Sequence, residues 1–229
     1  MAKRKKSKKQ AEETLVDLVE ARNNAQDFLD TNQNLIFGIL AGVVVLIGGF
    51  LAYQNFVVAP KEKAAVAAMW KAENQFFQDS FALALTNQAG GYDGLQVLTE
   101  EYGGVPTGSA ANYYAGISYL NLGQYEAAIS YLKDVKASGE VMPIMKNGAI
   151  GDCYSELENY DQAKSYYKKA INAGENEAVT PVYMLRYGML CEKLGDTNEA
   201  IKMYESIVSD YPSASQTRDA KKFLVRLNG

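Results

Sequence analysis

Histidine is missing from this chain altogether, and only two cysteines and five prolines occur in its 229 residues. The first absence removes the commonest general base, the commonest metal ligand and every Ser-His or Cys-His nucleophile pair. Cys153 and Cys191 are too few and too far apart for a zinc site. Neither lies near the amino terminus, which argues against an acylated lipoprotein cysteine. The phosphate-cradling patterns G-x-x-x-x-G-K-[ST] and G-x-G-x-x-G are absent too. Acidic neighbours such as Glu100 and Glu101, or Glu156 and Glu158, read as a solvated face in the absence of a suitable basic partner. The sequence therefore predicts no enzyme, no cofactor, no metal and no small-molecule substrate.

What is present is unevenly spread. Residues 3–9 hold six of the 23 Lys/Arg and no acid, whereas 16 basic and 21 acidic residues follow from Lys61 onward. A basic tail and an acidic body point to two environments and not to a nucleic-acid-binding surface. The "KRKKSKK" run has the charge to touch RNA or anionic lipid, and its plainer role is to hold the tail inside the cell.

Leu35 to Tyr53 carry no charge, and as a helix these residues span about 28 Å, close to a bilayer core of ~30 Å. The run is too long, and too far from the amino terminus, for a cleaved signal peptide, whose apolar stretch is roughly 7 to 15 residues. Residues 35–58 are therefore expected to form an uncleaved transmembrane signal anchor. The preceding residues 1–34 are expected to form a cytoplasmic tail, because seven of the Lys/Arg precede the anchor. Within that tail Leu15, Leu18, Val19, Arg22 and Leu29 fall near one helical face. Such a face suits either a solvated helix leading into the membrane or a docking helix for a cytosolic partner. Gly38 and Gly42, at G-x-x-x-G spacing, are a candidate packing face for a second membrane helix. Glycine is also common in membrane helices for other reasons.

The body, residues 59–229, carries a rhythm. Gly116, Tyr119, Gly123, Tyr125, Ala128, Leu132 and Val135 mark one copy, and Gly151, Tyr154, Tyr160, Ala163, Tyr167 and Ala170 a second. Gly188, Gly195, Ala200, Tyr204, Ile207 and Pro212 mark a third. This resembles the tetratricopeptide repeat, a helix-turn-helix unit of about 34 residues. In that repeat a small residue at position 8 of helix A and an alanine at position 20 of helix B let the pair approach. Position 4, often tryptophan, is Asn112, Asn147 and Met184 here, which departs from the pattern. The expected fold is all-α: a transmembrane helix, then an α-solenoid with repeats at about 109–142, 144–177 and 181–214. A degenerate repeat at 65–104 precedes them, and a capping helix at 215–228, with Ser213 or Ser215 as N-cap, closes the array.

An N-terminal anchor, a degenerate first repeat and a short acidic array together resemble the YfgM-like family of bacterial inner-membrane proteins. The resemblance implies a repeat domain in the periplasm and a cytoplasmic amino terminus. It also implies an ancillary subunit of the Sec translocon, beside a membrane-anchored prolyl isomerase and near unfolded client chains. A structural scaffold for another envelope assembly, in secretion, division or outer-membrane machinery, is the alternative. A eukaryotic organelle receptor with a cytosolic repeat domain is a topological rival.

Tetratricopeptide arrays offer a concave groove lined by helix A positions 2, 5, 9, 12 and 13. Groove candidates here are Tyr113, Ile117, Met145, Asp152, Leu185, Met189 and Glu192. Clamps for a terminal carboxylate need Lys, Arg and Asn at positions 2, 5, 6 and 9, and only Arg186, at position 6 of the third copy, fits. The mixture of apolar side chains and acids suits apolar peptide segments or an amphipathic partner helix, with basic flanks tolerated. Alternatively the helix carrying Trp70 fills the groove from within the chain.

Overall fold

The structure is a computed structural model and describes residue 22, residues 25–87 and residues 90–228. The basic cluster at 3–9, and Leu15, Leu18 and Val19 of the amphipathic stretch, lie outside the described residues. Every regular element among the described residues is helical. The chain divides into two compact units, 1–59 and 60–229.

In the first unit α1 (Gln33–Tyr53) runs into a π-helical turn (Gln54–Val58). Its apolar side chains, Leu46 and Val45 among them, are exposed along its length. Water tolerates such a surface poorly, and α1 is long and apolar enough to cross a membrane by length and composition. Gly38 and Gly42 sit on its open surface, with nothing within 4 Å of a Cβ built at either.

The second unit takes up the chain in α2 (Ala59–Phe77), α3 (Phe81–Thr86) and α4 (Leu95–Tyr102). Three helix pairs follow: α5 (Pro106–Asn121) with α6 (Tyr125–Asp134), α7 (Val141–Glu156) with α8 (Tyr160–Ile171), and α9 (Thr180–Lys193) with α10 (Thr197–Asp210). Helix α11 (Thr217–Asn228) closes the array. Pro106 and Pro181 lie in the first turns of α5 and α9, where a missing N–H costs no hydrogen bond.

Each A helix ends in the same left-handed turn. Gly123, Glu158 and Gly195 hold it, with φ of 72°, 56° and 80°. The chain then closes through Gln124 N to Tyr119 O (2.9 Å), Asn159 N to Tyr154 O (2.9 Å) and Asp196 N to Cys191 O (2.8 Å). Glycine supplies the conformation cheaply in two copies, and Glu158 adopts it against its Cβ in the middle one.

The seam between paired helices follows from residue size. A Cβ at Gly116 would lie 2.6 Å from Leu132 Cγ, one at Gly151 2.6 Å from the Tyr167 ring, and one at Gly188 2.6 Å from the Tyr204 ring. Ala128, Ala163 and Ala200 are wholly buried on the opposing side. These glycines and alanines face one another across each helix pair.

The stretch read as a degenerate repeat with a further short helix ending at Gly103 and Gly104 is three helices: Asn87 turns the chain left-handed after α3 (φ 43°), and α4 starts afresh at Leu95. One predicted detail differs. Helix α11 starts at Thr217: the Thr217 hydroxyl donates back to Tyr211 O (2.6 Å), and the Ser215 hydroxyl donates to the Gln216 side chain and caps nothing.

Helix α2 docks on α5. The Glu62 carboxylate accepts from the Thr107 N–H and hydroxyl (3.1 and 2.6 Å) at the start of α5, where a negative charge suits the helix dipole. Tyr114 donates to Glu73 (3.0 Å), and Phe76 packs edge-on against the Tyr114 ring. Trp70 itself is 66% exposed, so its indole does not fill the groove.

Candidate functional site

A pocket of about 590 Å³ crosses the A helices. Leu120 of α5 and Met189 and Leu190 of α9 give it an apolar side. Asp152, Ser155 and Glu156 of α7, Tyr167 of α8, and Arg186 and Lys193 of α9 give it a polar one. Of the groove residues expected from the sequence, Asp152 and Met189 meet here.

The other five lie elsewhere. Tyr113 and Ile117 are half-buried against the first core cluster, and Leu185 against the second. Met145 is half-buried, and its carbonyl oxygen accepts from the Tyr183 hydroxyl at 3.5 Å. The Tyr183 ring occupies the space that a Cβ on Gly148 would need. Part of the groove wall is thus covered by a tyrosine of the next repeat, which leaves Met189 as its most open apolar residue, 49% exposed. Glu192 belongs to a polar cluster of its own.

Both acids expected to face a ligand are already engaged. Asp152 accepts from the Tyr167 hydroxyl (2.8 Å) and pairs with Arg186. Glu192 accepts from the Tyr204 hydroxyl (3.3 Å) and from Arg226 Nη2 on both oxygens (2.6 and 2.8 Å). The same three-membered chain occurs twice. A B-helix tyrosine donates to the acid of its own A helix, and an arginine of the following helix neutralises it. Asp152 and Arg186 are 34 residues apart, as are Glu192 and Arg226. A spacing of one repeat length between opposite charges is the signal in the sequence that could have shown these pairs. Basic flanks, expected to be tolerated by these acids, meet no free charge on Asp152 or Glu192, whose charge is met inside the chain.

Burial pushes the Asp152 carboxyl up, against Arg186 and the Tyr167 hydroxyl, which pull it down. The same surroundings raise Tyr113, whose burial and proximity to Tyr114 and Asp152 push its phenol to about 12. A carboxyl whose folded pKa is raised holds its proton more tightly when folded. The penalty of ionising it is absent below the ordinary value of 3.8 and complete above the raised one. Stability from this group therefore falls as pH rises through that window. Relative to Asp152→Asn, the native chain should gain stability as pH is lowered from about 7 to about 4. Urea unfolding of both proteins at several pH values measures it, and a stability difference that stays constant or shrinks would contradict it.

Two charges at the pocket rim have no opposite-charge partner among the described residues. Glu156 accepts only from the Tyr125 hydroxyl (3.3 Å). Lys193 donates to the Tyr160 hydroxyl (2.7 Å) and sits 4.5 Å from that ring centre. The thiols take no part: both are free and buried, and burial pushes Cys153 up to about 12 and raises Cys191. Among the described residues no group of acids and cysteines could hold a metal ion.

Residues 142–213 match a family model for the tetratricopeptide repeat, and residues 110–138 match a second one. A search of the curated proteins finds no match. Neither matching family is a catalytic one. The matched residues coincide with the three helix pairs, and the chain accordingly carries tetratricopeptide repeats, the helical scaffold of protein–protein interaction adaptors.

Proposed function

We propose that this protein is a non-enzymatic tetratricopeptide adaptor, anchored in the bacterial inner membrane by α1, with its repeat domain in the periplasm. Its groove takes apolar stretches of a partner or client chain. The role that fits best is ancillary to the Sec translocon, in company with a membrane-anchored prolyl isomerase and emerging secreted chains. The observation that carries this reading is the groove itself, where Arg186 neutralises Asp152 while Leu120 and the half-exposed Met189 stay available. A lining of that kind favours segments with an apolar centre of varied shape. A scaffold for another envelope assembly is the second reading, and the exposed Val66, Trp70 and Phe77 on α2 favour it, since a folded partner could cover them.

Two experiments test the reading. An alkaline phosphatase fusion after Gly229 should be active, and an inactive one would reverse the orientation. Leu120→Ser with Met189→Ser, both of which line the groove, should weaken crosslinking of the full chain to nascent secreted proteins several-fold at unchanged helicity. Parental crosslinking by that double variant would remove the groove from the account.

A further inference from the structure

We infer that the partner segment carries one basic and one acidic residue flanking its apolar anchor. This rests on the groove reading above and names the chemistry of its occupant. The observation is at the ends of the A helices. Helix α5 ends in Asn121, α7 in Glu156 and α9 in Lys193, so one end of the groove presents a neutral, a negative and a positive group in successive repeats. Glu156 and Lys193 both line the pocket floored by Leu120, Met189 and Leu190.

Their state differs from that of the other charges nearby. Asp152 and Glu192 are neutralised by Arg186 and Arg226. Within hydrogen-bonding reach Glu156 and Lys193 meet only tyrosine hydroxyls, which orient them, while Glu158 and Glu156 act on Lys193 from farther off. An oriented charge beside an apolar floor selects its complement on an incoming chain. A basic residue reaches Glu156, an acidic one reaches Lys193, and the apolar residues between them seat on Met189 and Leu190. An extended segment advances roughly 3.3 Å per residue, so two apolar residues between the flanking charges hold them about 10 Å apart along the chain. The occupant is therefore an extended segment of the pattern basic-apolar-apolar-acidic, read in either chain direction.

The test uses the full chain in detergent micelles and four fluorescent 12-residue peptides that share a Leu-Leu centre. Their flanking residues are Lys and Glu, Lys and Lys, Glu and Glu, or Gln and Gln. The native protein should prefer the mixed-charge peptide over the Gln peptide by about fivefold, a preference lost at high salt. Glu156→Lys should move the preference to the Glu-flanked peptide, and Lys193→Glu to the Lys-flanked one. These two variants leave the answer independent of the direction in which the peptide lies. Equal binding of all four peptides by all three proteins would overturn the charge inference and leave the apolar groove standing. Absence of binding by the native protein would overturn both.

Discussion

Replacing Gly108 with alanine should lower the melting temperature of the full chain by roughly 6–12 °C. Gly108 lies in the first turn of α5, where the end of α4 crosses it. A Cβ there would come within 2.7 Å of Gly103 N and closer still to the Tyr102 carbonyl group. Side chains facing an added methyl can rotate away, but these neighbours are backbone. Relief requires α4 to move off α5, and Leu95 and Leu98, which are almost fully buried, would lose part of their packing. Overpacking usually costs about 1–3 kcal/mol, and a backbone obstacle places this case at the upper end. Gly104→Ala, with open space around its Cβ, is the control and should melt near the parent. Equal melting of the two variants would show that α4 does not rest on α5 in this way.

The second large effect lies at the other end of the array. Tyr204→Ala should cost about 3–5 kcal/mol, the range for emptying a buried aromatic site. The Tyr204 ring is fully buried, fills the seam against Gly188 and lies 5.3 Å from the Phe223 ring of α11. Its hydroxyl donates to Glu192, which also holds Arg226 of α11. Truncation therefore opens the last helix pair and loosens the capping helix in one step. Tyr204→Phe keeps the ring and removes one hydrogen bond, at a cost of about 1 kcal/mol. Hydrogen exchange separates the two: the alanine variant should deprotect α11 amides, and the phenylalanine variant should leave them nearly as slow as in the parent. Comparable protection of α11 in the alanine variant would contradict the role given to Tyr204.

How much of this was legible in the sequence depends on the range of each interaction. Gly116, Gly151 and Gly188 stand opposite Leu132, Tyr167 and Tyr204 at a repeat period, and that spacing makes an all-helical array legible. The apolar run of α1 was equally plain, because it needs no partner to be recognised. Gly108 was not legible, since its constraint comes from the end of α4, which belongs to no repeat. Glu158 gave no sign either, as a left-handed turn between two repeats that use glycine there is set by its neighbours.

The groove was legible as a set of helix positions and not as a chemistry. Helix A spacing puts Asp152 and Met189 on one face, and both line the pocket, yet a single helix cannot show which charges its neighbour will neutralise. Arg186 and Arg226 do so from the next helix, one repeat length away. Tyr183 covers the Gly148 wall for the same reason, and Met145, Ile117 and Leu185 are left half-buried.

The groove as the contact surface for partner chains is most directly tested by placing a photoreactive amino acid at single sites in the full chain in native membranes. Met189 is the groove site, with Glu126, Ser165 and Lys202, exposed positions on the B helices, as comparisons. Irradiation should yield adducts with secreted or translocon-associated chains from position 189 and little from the other three. Adducts of equal yield from all four sites, or from the B helices alone, would contradict the account.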